Sequence, residues 1–205
     1  MALSTFVKVN SVNNLTDARY CAGMYVNLIG FEVSPAAEKP IPPTTFNEIT
    51  GWLSGVDFVT EFQQESLEEV KEILKDYEAK WVEHTRLDTL HTLREEGYEC
   101  IYKQDITNVK SVKLELAEDL KSNGILLHVT SKNEELTDRE IEIISMVAEK
   151  CDVLLGSGIN PNNVESIIDK LPIKGITLTG GDEIKPGLKD FDELSEILET
   201  LEVED

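Results

Sequence analysis

Two periods of apolar residues alternate along the whole chain. Phe6-Val-Lys-Val-Asn10 is a β-branched run of strand character, and Asn14-Leu-Thr-Asp17 then opens an amphipathic segment that reaches Met24. Strand patterns recur at Asn27 to Val33, Val56 to Phe62, Lys80 to His84, Glu99 to Ile106, Ile125 to His128, Asp152 to Leu155 and Ile176 to Leu178. Helical periodicity follows each of them, at Phe46 to Leu53, Ser66 to Tyr77, Arg86 to Glu96, Ser111 to Lys121, Thr137 to Lys150, Asn162 to Leu171 and Phe191 to Leu201. Ser66 with Glu69 has the spacing of a capping box, and Gly97 closes the helix before it. Ser34 to Thr45 holds four prolines and reads as a loop, while the acidic end from Glu202 to Asp205 reads as a frayed, solvated tail.

Eight strand-then-helix units with no dividing linker imply an α/β fold with a parallel sheet. In 205 residues they imply a closed (β/α)8 TIM barrel with short loops, a single domain over residues 1–205. The formal net charge of -21 excludes nucleic acid and anionic membranes as partners. No apolar run has transmembrane length and no basic segment precedes an apolar core at the N-terminus, so the chain is expected in the cytoplasm. Cys21, Cys100 and Cys151 are far apart and form no CxxC pair, which suggests buried thiols and neither a disulfide framework nor a metal site.

The strongest chemical signal is a pair of glycine turns. Leu154-Leu-Gly-Ser-Gly-Ile-Asn-Pro-Asn-Asn-Val164 and Gly175-Ile-Thr-Leu-Thr-Gly-Gly181 each carry a strand into a small-residue turn. Glycine lets backbone N–H groups approach an anion, and two such turns after strands seven and eight make one phosphate cradle. Gly156, Ser157, Gly158, Asn160, Thr179, Gly180 and Gly181 are the phosphate-binding candidates. With so negative a chain, local backbone dipoles must hold the phosphate against the overall field. Each turn alone could simply shape a strand-to-helix connection.

With Val7-Lys-Val-Asn-Ser-Val-Asn-Asn-Leu-Thr-Asp-Ala-Arg19, Ile29-Gly-Phe-Glu-Val33 and both glycine turns, the chain resembles the phosphoribosylanthranilate isomerase family of tryptophan, and so aromatic amino acid, biosynthesis. That resemblance implies an isomerase turning an aminoaldose phosphate into an aminoketose phosphate, with no cofactor, as a monomer or homodimer. It also implies a general base, a cysteine, where this chain has Asn10, and a general acid, an aspartate, where it has His128. Thr177 stands where the family has an aspartate, Lys39 is the nearest cation to the place of the family's carboxylate-binding arginine, and His84 matches a family histidine.

A carboxamide has no proton equilibrium near neutral pH, so Asn10 cannot serve as that base. The candidate catalytic set is therefore His128 and His84 as acid or base, a nearby phosphate favouring His128 as the acid and leaving His84 as base, with Asn10 as an orienting group and Glu61 and Asp105 at neighbouring strand ends. Lys8 should point inward and pair with a carboxylate, because a buried lone ammonium is costly. Two readings stay open: a phosphosugar isomerase with replaced chemistry, or a non-catalytic barrel that binds a phosphorylated metabolite or assembles with another protein.

Overall fold

The computed structural model describes residues 2–107, 109, 113–180, 183–185, 188–189 and 192–203. Eight parallel strands close in sequence order into a barrel: β1 (Phe6–Asn10), β2 (Leu28–Glu32), β3 (Asp57–Glu61), β4 (Trp81–His84), β5 (Glu99–Asp105), β6 (Leu126–Thr130), β7 (Val153–Leu155) and β8 (Gly175–Thr179). Helices α1 (Leu15–Gly23), α2 (Pro43–Thr50), α3 (Leu67–Leu74), α4 (Leu87–Glu95), α5 (Leu114–Asn123), α6 (Asp138–Ala148), α7 (Val164–Lys170) and α8 (Asp192–Thr200) follow them in turn. This is the (β/α)8 TIM barrel. Among the described residues no helix is long and apolar enough to cross a membrane.

Local chemistry sets the helix ends. The Asn14 side chain accepts from the Asp17 amide at the start of α1, and Ser66 with Glu69 makes the expected capping box of α3. Helix α2 begins three residues earlier than its apolar period suggests, at Pro43, because proline fits the first helical turn where its missing N–H costs nothing. Gly97 and Gly124, at φ +99° and +65°, turn the chain after α4 and α5 in a region that other residues resist.

Pairing at the chain ends departs from expectation. Ala2–Leu3 forms an antiparallel pair with Glu202–Val203, so the first part of the acidic end is hydrogen-bonded strand; residues 204–205 lie outside the described residues. Between β8 and α8 a small hairpin pairs Glu183–Lys185 with Leu188–Lys189, which alternation alone did not suggest.

Alternation within each strand separates two cores. The outer one packs strands against helices, with Phe31, Phe46 and Tyr77 in edge-to-face contact at centroid distances of 5.1 and 5.3 Å, and it holds all three cysteines, buried and not joined in disulfides. Inside the barrel Leu28, Val59, Ile101, Leu126 and Leu154 form a separate cluster, with Phe6 and Trp81 packed against it. That apolar plug fills the N-terminal half of the barrel. Residues two further along each strand face the same way, and most of them are polar.

Candidate active site

The inward layer above the plug is Lys8 on β1, Gly30 on β2, Glu61 on β3, Glu83 on β4, Lys103 on β5, His128 on β6, Gly156 after β7 and Thr177 on β8. One ammonium organises it. Lys8 Nζ donates to Glu61 Oε1 at 2.5 Å and to Asn10 Oδ1, and lies 2.9 Å from Glu83 Oε2. An ammonium has three hydrogens, so these acceptors use all of them. Burial works against the charge on Lys8, but Glu61 and then Glu83 outweigh it and hold the pKa above the ordinary lysine value. Gly30 makes room for this arrangement: a Cβ there would stand 2.0 Å from Glu61 Oε1. The second oxygen of Glu61 accepts from the Ser11 amide at 3.1 Å.

Glu83 links Lys8 to the histidine. His128 Nδ1 is 2.9 Å from Glu83 Oε2, and both side chains are buried. Burial alone would raise the Glu83 carboxyl, yet Lys8 and then His128 hold it well below the usual carboxylate range. An ionised carboxylate only accepts, so Nδ1 carries the hydrogen. Burial also lowers the His128 pKa in spite of Glu83, which keeps the ring neutral near pH 7. The other nitrogen, Nε2, then presents a bare lone pair. It has no partner among the described residues, and it sits where a Cβ on Gly156 would be, 2.3 Å from that position. The residue expected to be an acid is built as an acceptor.

Glu32 ends β2 in register with Glu61, and it was not singled out from the sequence. Its carboxyl is half-buried, and Oε1 has no partner among the described residues. Burial, with the Glu61 charge second, pushes its pKa up to about 7, while Gln63 and the Ser34 amide partly oppose the shift. Thr177 Oγ1 is a third buried polar atom without a partner on this inner wall. At the rim, Asp105 accepts from the Thr107 amide at 2.8 Å and lies 3.8 Å from Lys132 Nζ. Among the described residues no cluster of His, Cys, Asp and Glu is placed to hold a metal ion.

His84 does not join this group. Its strand neighbour Glu83 takes the inward side, so the His84 ring packs into the helical layer, 6.2 Å from the Phe62 ring. Its Nδ1 accepts from the Arg86 amide at 2.8 Å and its Nε2 reaches the Glu65 carbonyl at 3.1 Å. Both nitrogens serve the main chain. The two histidines expected to work together lie on opposite faces of the sheet.

Of the two glycine turns, the first is described in full. Gly158 has φ +72°, and Leu136 packs where its side chain would be. Ser157 Oγ donates to the Ser131 carbonyl at 2.9 Å and accepts from the Ser131 amide at 2.8 Å. The Gly156 amide is taken by Val129 O and the Asn160 amide by Asn163 Oδ1, both at 2.8 Å. These two candidates therefore shape the turn and do not offer their amides to a ligand. The amides of Ser157, Gly158 and Ile159 have no partner among the described residues. Thr179 pairs in register with Asn10 and is exposed, with Gly180 after it; Gly181 lies outside the described residues.

Several known proteins are similar to this chain in sequence or in fold. The curated N-(5'-phosphoribosyl)anthranilate isomerase of Leptospira interrogans serovar Lai is 26% identical over 196 residues, covering 91% of this chain and 89% of the relative. That of Aquifex aeolicus is 26% identical over 204 residues, covering 94% and 96%. Among solved structures, phosphoribosyl anthranilate isomerase from Thermotoga maritima superposes with a TM-score of 0.78 at 22% identity, covering 96% of this chain and 98% of its own. Another isomerase structure, in complex with reduced 1-(o-carboxyphenylamino)-1-deoxyribulose 5-phosphate, has a TM-score of 0.77 at 20% identity with the same coverage. A further Thermotoga maritima structure is of monomers generated from a dimeric enzyme. Residues 9–200 match the N-(5'phosphoribosyl)anthranilate (PRA) isomerase family, and the chain belongs to it.

Proposed function

We propose that this barrel binds a phosphorylated, sugar-derived metabolite at its C-terminal mouth and isomerises phosphoribosylanthranilate very poorly. The observation that carries the second half is the Asn10 carboxamide fixed on the Lys8 ammonium. It stands where the family resemblance calls for a base, and it neither ionises nor has its oxygen free. Loss of a positioned general base removes about 10²–10⁴-fold in rate. Binding is supported by the amides of Ser157, Gly158 and Ile159, which have no partner among the described residues and are suited to phosphate oxygens.

A second reading, an enzyme with replaced chemistry, is favoured by the buried Nε2 of His128, which has no partner among the described residues. A buried carboxylate that fixes the tautomer and leaves the far nitrogen as acceptor is the arrangement of a general base. In that reading His128 removes a proton from the ligand, Glu83 is its positioning residue, and His84 has a structural role.

Phosphate soaked into crystals is expected to occupy the Ser157 to Ile159 turn, and expression of the chain is expected not to restore growth of a tryptophan auxotroph lacking the isomerase. An ordered but empty turn at high phosphate would remove the binding proposal, and robust growth would remove the catalytic one. Turnover of any sugar phosphate that disappears in His128→Ala while phosphate still binds would establish the second reading.

A further inference from the structure

Resting on that phosphometabolite reading, we infer that the ligand's non-phosphate half is rich in hydrogen-bond donors and free of carboxylate, a polyol or an amine, held by Glu32, His128 and Thr177. Glu32 Oε1, His128 Nε2 and Thr177 Oγ1 lie on three different strands, all on the inner wall, and none has a partner among the described residues. His128 is 0% exposed and Thr177 3%. Polar atoms so buried are ordinarily hydrogen-bonded, and leaving them unpaired is costly. A water or a ligand group inside the barrel would satisfy them.

What they need is donors. Nε2 of a neutral ring protonated at Nδ1 accepts, an ionised Glu32 accepts, and the Thr177 hydroxyl can do either. The protein supplies few donors of its own here, since Lys8 is saturated by Asn10, Glu61 and Glu83. Lys103 Nζ stands 3.8 Å from Glu83 Oε1 and is the remaining ammonium of this layer. Among the described inward residues, three carboxylates, Glu32, Glu61 and Glu83, thus face two ammoniums. A hydroxyl or amine entering the mouth pairs with this excess of acceptors, whereas a ligand carboxylate would meet like charge with weak screening.

Protonation of Glu32 changes the charge at the mouth. Around Glu32 stand Glu61 from β3, Lys103 from β5, the Gln63 side chain and the Ser34 amide, with Lys8 and Asn10 of β1 beyond Glu61. Because its carboxyl titrates at about 7, the mouth becomes more negative as pH rises through neutrality.

Calorimetric titration of the intact protein tests this with inorganic phosphate, glucose 6-phosphate, glucosamine 6-phosphate and 6-phosphogluconate, which share the phosphate and differ in charge elsewhere. At neutral pH the carboxylate-bearing probe is expected to bind roughly tenfold or more weakly than glucose 6-phosphate, and the amine at least as tightly as glucose 6-phosphate. Glu32→Gln should nearly abolish the difference. In the unmutated protein the penalty on 6-phosphogluconate relative to glucose 6-phosphate should grow from about pH 6 to about pH 8, a ratio in which titration of the shared phosphate cancels. If Glu32→Gln does not fold, this pH series decides alone. Equal or tighter binding of 6-phosphogluconate, or a penalty that Glu32→Gln leaves intact, overturns the inference. Binding of inorganic phosphate without discrimination among the sugars overturns it and leaves the phosphate reading standing; failure of every probe to bind overturns both.

Discussion

Glu32 is a carboxylate in a place that resists its charge, and the sign of its effect on stability follows from that. Its pKa of about 7 in the folded chain lies above the value of roughly 4.3 for an unfolded glutamate. The folded state therefore holds the proton more tightly, and the cost of ionising Glu32 grows as pH rises from the unfolded value through about 7. Glu32→Gln is expected to raise the melting temperature more at about pH 8 than at about pH 5. Equal effects at both pH values, by calorimetry, would show that the carboxyl is not strained. Glu83 has the opposite sign. Its depressed pKa adds stability above the unfolded value, and this is lost as pH falls through the folded one. The inward turn and pairing of Lys8 followed from alternation and the cost of a lone ammonium. The outward placement of His84 was not legible, because a short strand reading Trp81-Val-Glu-His84 has polar groups on both faces. Only packing of Trp81 against the interior plug fixes which one faces inward.

At the scale of elements, the start of α6 is tied to the turn after β7. Glu140 completes the capping box with Thr137, accepting from its amide at 2.8 Å and its hydroxyl at 2.7 Å, and also accepts from Ser131 Oγ. Ser131 in turn holds Ser157 through two hydrogen bonds. Burial opposes the Glu140 charge, but the Ser131 and Thr137 hydrogen bonds prevail and bring its pKa down to about 2. Its stabilisation is therefore present above the unfolded value of roughly 4.3 and is lost as pH falls toward about 2. Glu140→Ala is expected to cost about 1–2 kcal/mol of stability, as for other lost caps, and to weaken phosphate binding as well. Glu69→Ala, which removes the equivalent cap from α3, should leave phosphate binding unchanged. If both variants bind phosphate alike, the link from α6 to the turn has no functional weight. Elements of this kind were largely legible, since capping boxes, αL glycines and strand alternation are local signals. The hairpin of Glu183–Lys185 with Leu188–Lys189 was not, because strands of three and two residues are too short to carry an alternation signal.

For the whole molecule, eight repeated units announced the barrel without reference to any one residue, and the apolar plug below with polar groups above assigned its working end. The contents of that end were legible only in part, as the partners of Glu83, Glu32 and His128 come from strands far apart in sequence. The pairing of Ala2 with Val203 carries a further consequence. Register partners in an antiparallel pair can be joined by a loop of about two to five residues. In connectivity the chain is thus nearly a ring, and where it is cut is a matter of convenience. A circular permutant that joins Val203 to Ala2 and opens between exposed Glu38 and Lys39, in the proline-containing segment before α2, is expected to fold to the same far-ultraviolet spectrum and retain phosphate binding. A permutant that stays unfolded would show that β2 and β3 must be joined covalently for the barrel to close.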